Sequence, residues 1–420
     1  MNAPPPTHAT GTLASSVRGR HGARTPSPSP ARRRALALIA LLALPSSAWA
    51  IGAQEVLRYD LFSDRPVGSA GEMEVAAARD GHVLLAWTAW RPAVQRMAVR
   101  VQWLAPDGTP LGKSFEAMRD GGPVAVAARP GRGALIVSLA SPPKSGYRLT
   151  VVDAAGVVRR WQPADFGCEF PSALTATGSG YFLSCFETQP ARFAGWWLSE
   201  TGRPGRRVEI GPGYAVALAG GLGQGVFALY QGEDGRLLAR WLTPWKQGPP
   251  VVVDDRAAWP PEVSAAHLRD RVFGVTWLRE YARSADPEDG RRITAIQAAT
   301  FRAPDLVRFD RRFSRLSGSL EEATGEQTRP FVFRTAAREQ VVAWFGCAYG
   351  SSPAGLVCFE RDGLFLRARV GARPAGGILE LADVARHSEV VFTGERLLTL
   401  RLFDRAEDRW DLEIRGFVLE

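Results

Sequence analysis

One pattern recurs along the chain and limits its fold more than any other feature. Two short apolar runs flank a tight turn, a third run follows after a connection, and a fourth follows a second turn. Residues 75–87 carry the first pair around Asp80-Gly81, and residues 97–103 and 110–117 carry the second around Pro106-Asp107-Gly108. The arrangement begins again at 124–139, 172–186, 215–230, 263–277, 331–344 and 389–402, giving seven units spaced roughly 45–60 residues apart. Four short strands at that period predict an all-β chain folded as a seven-bladed β-propeller of four-stranded blades. No extended stretch repeats apolar residues at helical spacing, and one short helical turn is expected at 379–385. A lipid-spanning barrel fits poorly, because turns interrupt the runs before they reach the ~9–11 residues a spanning strand needs.

Trp87, Trp277 and Trp344 fall at equivalent places on the second strand of their units, and Leu139, Phe186, Tyr230 and Leu402 take that place elsewhere. A large apolar side chain there packs between blades. The last unit holds three strands, while an orphan strand at 55–62 precedes the first. The economical reading joins the two: the N-terminal strand completes the last blade, closes the ring and hides two sheet edges that otherwise invite aggregation.

Residues 1–50 stand apart from this pattern. Arg32-Arg33-Arg34 precede an apolar run of about ten residues, and Ala48-Trp49-Ala50 follows a Pro-Ser-Ser break. That is the layout of a cleaved export leader, and its apolar run is too short to span a bilayer. The expected organisation is a leader over 1–50 and one propeller domain over 51–420, periplasmic or secreted. The formal charge of +9 also shrinks outside the leader. Six arginines and no acidic residue lie in 1–50, so the remainder carries 46 basic against 43 acidic residues. No basic cluster with interleaved aromatics offers a nucleic-acid surface.

The four cysteines, Cys168, Cys185, Cys347 and Cys358, lie outside the leader. An even count in an exported chain points to disulfides, with Cys347 and Cys358 facing each other on one hairpin and Cys168 and Cys185 bracketing another. Their spacing lacks the paired pattern of a zinc site, and no metal or other cofactor is expected.

In a four-stranded blade, turns 1–2 and 3–4 open on one face, and loops 2–3 and the blade links open on the other. The 1–2 turns are short throughout. The long connections, 89–96, 189–192, 278–292, 313–327 and 371–386, all belong to the second class and gather on one face. Long loops of varied chemistry on a rigid scaffold usually carry function. The candidate contacts on that face are Trp90, Arg91, Arg96 and Trp259, then Glu280, Tyr281 and Arg283, with Tyr349 on a further loop. Asp286, Glu288 and Asp289 form an acidic turn that reads either as a cation site or as a solvated loop. Catalytic residues are not assigned. His82, His267 and His387 lie on three different units and read as surface histidines, and neither a nucleophile elbow nor a phosphate-binding loop is present.

The first unit resembles a repeat found in exported bacterial proteins. Residues 75–87 read V-A-A-A-R-D-G-H-V-L-L-A-W and residues 100–112 read R-V-Q-W-L-A-P-D-G-T-P-L-G. They are similar to a D-G-x-x-V-x-W strand pair followed by D-x-x-G-x-P-x-G. The resemblance implies propeller blades and an exported compartment, and no activity. Sialidase-like propellers carry S-x-D-x-G-x-T-W boxes that this chain lacks. The expected function is therefore non-enzymatic binding or scaffolding through the long-loop face, with a protein or glycan of the cell envelope as partner. A carbohydrate-active enzyme is the alternative.

Overall fold

The computed structural model describes residues 53–61, 73–91, 96–140, 146–162, 166–214, 216–221, 223–257, 262–283, 292–308, 314–315, 327–335, 340–352, 355–370, 373–381, 384, 388–406 and 409–419; for some strand residues it describes the backbone alone. The described strands form seven antiparallel sheets arranged in a ring, a β-propeller. Blade 1 comprises Met73–Ala77, Val83–Arg91, Arg96–Leu104 and Pro110–Met118. Blade 2 runs from Gly122–Arg129 to Val157–Trp161, blade 3 from Phe170–Thr177 to Pro204–Pro212, and blade 4 from Val216–Gly220 to Val251–Asp254. Blade 5 runs from Val263–Arg269 to Val307–Arg308, and blade 6 from Gln327–Phe333 to Arg373–Leu381. Blade 7 takes Glu389–Phe392, Leu397–Ala406 and Arg409–Leu419, and its outer strand is Ala53–Leu61. The N-terminal strand thus closes the ring from the outside of the last blade.

Strand alternation explains where the core lies. Successive side chains of a strand point to opposite faces of its sheet, so each second strand serves two neighbours. Val83, Leu85 and Trp87 pack with Leu398, Leu400 and Ile414 of blade 7, while Leu84 and Ala86 pack with Val126 and Ile136 of blade 2. Each of the seven buried clusters belongs to two adjacent blades, so the core is a set of seams. Indole N–H groups add polar ties across them. Trp103 donates to the Asp153 carbonyl at 3.1 Å and Trp161 to the Thr201 carbonyl at 2.9 Å. Trp277 donates to the buried Asp254 carboxylate at 2.6 Å, which burial pushes above the usual carboxylate range. At the 1–2 turn of blade 1, Gly81 has φ 83°, and a Cβ there would lie 2.8 Å from the Thr393 carbonyl of blade 7. Only glycine fits both demands.

The second-strand position is less uniform than the sequence suggests. Trp87, Tyr230, Trp277 and Trp344 are buried and all face the preceding blade. Phe186 is shifted in phase and faces the following blade, and the residue beside it, Cys185, takes the equivalent place. Leu139 is 44 % exposed, so it is not a seam residue. Cys185 is bonded to Cys168 in the link between blades 2 and 3, as expected, and both are buried. The other expected pair is displaced: the register places Tyr349 opposite Cys358 and Cys347 opposite Asp362, with a bulge between Cys347 and Tyr349. The side chains of Cys347 and Cys358 lie outside the described residues.

Several connections read as loops are strands. The second and third strands of blade 5, Val272–Arg283 and Arg292–Arg302, and of blade 6, Gln340–Ser352 and Gly355–Val370, overrun their sheets as tall hairpins. Asp362-Gly363 sits inside such a strand rather than at a turn. The helical turn expected at 379–385 is overturned at its start, because Leu379 belongs to the outer strand Arg373–Leu381.

Two outcomes are expected. Removing residues 53–61 bares the Arg409–Leu419 edge, and the truncated protein aggregates or melts at least ~10 °C lower; a soluble product with the parent melting curve contradicts the closure. Replacing Cys168 and Cys185 together by Ser releases a closed segment of sequence separation 17, with a loss of about 3 kcal/mol in denaturant unfolding. A loss below ~0.5 kcal/mol would show that the bridge constrains little.

Candidate functional site

The long-loop face receives the C-terminal ends of the second strands and the starts of the first strands. Of the candidate contacts, Trp90 and Arg91 pair with Met97 and Arg96 at the tip of the blade 1 hairpin. Glu280 pairs with Thr294 and Arg283 with Arg292, with Tyr281 at the bulge between them, and Tyr349 lies on the blade 6 hairpin. These positions sit on strands of that face, but their side chains lie outside the described residues, as do Trp259, Asp286, Glu288, Asp289 and His387 altogether. Arg96 is described in full: it is exposed and its Nη1 lies 3.4 Å from Asp120 Oδ1.

That contact marks the edge of a cleft of about 420 Å³ between blades 1 and 2. Met118, Arg119, Asp120, Ala140, Arg148 and Arg160 line it. The arginines are held from different elements. Arg160 donates to the Ala117 carbonyl at 3.0 Å, Arg148 to the Tyr147 carbonyl at 3.1 Å, and Arg119 approaches Glu116 at 3.5 Å. On the other face of blade 2, toward blade 3, Phe170 and Leu139 are exposed, and the Phe170 ring meets Tyr147 edge-on at 6.5 Å. Three arginine side chains thus line one cleft of the face. Sequence reading singled out Arg96 alone, because arginines are scattered along the chain and nothing local distinguishes 148 or 160.

Nearer the axis, blades 5, 6 and 7 join through a second cluster. Arg329 lies on a bulged first strand with φ 48°. Its backbone N–H donates to Glu262, and its Nη2 donates to Glu389 Oε1 at 2.5 Å. Burial pushes the Glu389 carboxyl above the usual carboxylate range, and the Arg329 charge opposes that shift. A left-handed arginine between two glutamates stores backbone strain that the surrounding ion pair must offset.

The opposite, tight-turn end of the axis is crossed by a side chain. Arg79 of blade 1 donates to the Gly220 carbonyl of blade 4 at 3.2 Å. His267 of blade 5 is nearby and half-buried rather than an open surface histidine, with its ring 5.3 Å from Phe273. Burial lowers its imidazole below the usual range; the Asp270 carbonyl, 2.8 Å from Nε2, opposes this and Arg79 adds to it. Asp80 and His82 lie 3.3 Å apart at the neighbouring turn. Among the described residues, no three His, Cys, Asp or Glu side chains converge as a metal site.

No protein-family model matches the chain, and no curated protein matches it. Solved structures do. The β-propeller domain of the Trilobed protease from Pyrococcus furiosus, reported with an open velcro topology, aligns at TM-score 0.47 and 9 % identity over 84 % of this chain and 94 % of that one. AofleA from Arthrobotrys oligospora aligns at TM-score 0.41 and 10 % identity over 77 % and 90 %. A mutant Aleuria aurantia lectin in complex with Fucalpha1-6GlcNAc gives 0.41 and 10 % over 77 % and 97 %. Likenesses this distant say nothing of what this chain binds.

Glu389 provides a pH test. A carboxyl whose folded pKa is raised adds stability below its unfolded value of about 4.3 and loses it as pH rises through the folded value. Measured from about pH 4 to pH 7, the melting temperature of the parent should therefore fall relative to that of Glu389→Gln. Parallel profiles, or a parent that gains on the variant, would contradict the raised value.

Proposed function

We propose that this chain is an exported binding propeller that holds an acidic ligand of the cell envelope on its long-loop face. One observation carries the reading: Arg119, Arg148 and Arg160 line a single cleft between blades 1 and 2, with Arg96 at its edge. Guanidinium forks match carboxylate and phosphate geometry, and a cleft of this volume lies in the range of small-ligand sites, roughly 300–1,000 Å³. Export is supported by the leader-like residues 32–50 and by the buried Cys168–Cys185 bridge, since disulfides persist in oxidising compartments. No helix among the described residues is long and apolar enough to cross a membrane.

A second reading, a carbohydrate-active enzyme, is favoured by the two glutamates at Arg329, because a pair of carboxylates is the machinery of glycoside hydrolysis. Arg329 nevertheless engages both, which suits a structural tie between blades better than a pair open to substrate.

The test is binding of the mature chain to a uronic-acid polysaccharide, alginate, by calorimetry. Affinity should fall about tenfold or more in Arg148→Ala/Arg160→Ala and should weaken as salt rises from about 50 to about 500 mM. Equal binding by parent and variant removes the cleft from the account. Cleavage of the polymer by the parent and not by Glu389→Gln would favour the enzyme.

A further inference from the structure

We propose that the seam between blades 4 and 5, on the tight-turn face, is a second binding site that takes a neutral pyranose sugar. This inference does not rest on the arginine cleft, which lies on the opposite face and between other blades.

A cleft of about 280 Å³ opens there, lined by Trp241 and Trp245, with Gln224, Thr243, Asp270 and Arg271 among its polar groups. Trp245 is 71 % exposed, the most exposed of the large apolar side chains described. Exposing an indole forgoes the burial that normally governs such a residue. The turn that presents it is held rather than slack. The Thr243 amide donates to the Lys246 carbonyl at 2.9 Å, and the Lys246 amide donates back to Thr243 Oγ1 at 2.9 Å. The second indole is fixed from below. The Trp241 ring lies so close over Gly225 that a Cβ there would sit 1.9 Å from it, and its centroid is 5.4 Å from the Phe273 ring.

The polar side of the cleft is also anchored. Asp270 adopts φ 44°, and its carbonyl lies 2.8 Å from His267 Nε2. The Arg271 carbonyl accepts the Ala303 amide at 2.9 Å. Two consecutive residues on a fixed turn thus bring one carboxylate and one guanidinium to an aromatic wall.

This combination selects a ligand class. An indole face accommodates the C–H face of a sugar ring. A carboxylate accepts hydrogen bonds from hydroxyls, and a guanidinium donates to them. Arg271 opposes a quaternary ammonium, which aromatic walls otherwise attract, and Asp270 opposes an anion. The volume falls just below the usual range for drug-sized ligands and suits a single ring.

The test is saturation-transfer NMR with a tryptophan-fluorescence titration of the whole mature chain. Probes are the methyl pyranosides of glucose, galactose, mannose and fucose, with choline and glucuronate as charged comparisons. At least one neutral pyranoside should receive saturation and shift the fluorescence, and both charged probes should bind more weakly. Trp245→Ala and Arg271→Ala should each lose about tenfold or more in affinity with an unchanged melting temperature, because both side chains are exposed. Arg148→Ala/Arg160→Ala should leave pyranoside binding intact, so failure at one cleft is separable from failure at the other. The proposal is overturned if no neutral pyranoside binds, if choline or glucuronate binds best, or if Trp245→Ala binds as the parent does.

Discussion

The antiparallel pairing of Ala53–Leu61 with Arg409–Leu419 joins the two ends of the chain in one sheet, and the ring depends on it. Arg415 reinforces the pairing: it donates to Glu55 Oε2 at 2.5 Å and lies 5.2 Å from the Phe417 ring. Ala53 also packs into the seam between blades 6 and 7. Without this strand the last blade loses its outer strand, and the seam between blades 6 and 7 loses the Ala53 contact. A propeller cannot shed one seam quietly, because each sheet is buried on both faces by its neighbours.

That two-sided burial separates scaffold from function. Large side chains of the second strands are used up in seams, leaving the ends of strands to meet solvent. At one end, Arg79 reaches across the axis from blade 1 to blade 4. At the other, Arg329 ties Glu262 and Glu389 across three blades. With ties at both ends of the axis, the described clefts open between blades, where two sheets diverge. The chemistry then differs by seam: guanidinium groups between blades 1 and 2, indoles with one acid and one base between blades 4 and 5.

The repeat, the turn residues and the closing strand were legible in the sequence because they are local. Gly81 needs its positive φ whatever the rest of the chain does, and alternation from Val83 to Trp87 fixes two faces within five residues. Phase was harder. Phe186 and Leu139 satisfy the apolar pattern, yet Phe186 packs into the following seam instead of the preceding one and Leu139 is exposed, because one step along a strand exchanges its two faces. The tall hairpins were hidden because Asp362-Gly363 has turn chemistry but pairs within a ladder. The clefts were least legible. Arg119 and Arg160 meet only because the ring brings the end of blade 1 beside the outer strand of blade 2, and Trp245 and Arg271 meet across a seam.

Native-state hydrogen exchange tests the closure most directly. Amides of residues 53–61 should exchange as slowly as those of 409–419, and both should open together with the blade 1 strand Val83–Arg91 in one cooperative step. If residues 53–61 exchange within seconds while 409–419 and 83–91 stay protected, the N-terminal strand does not hold the ring and the account is wrong at its centre.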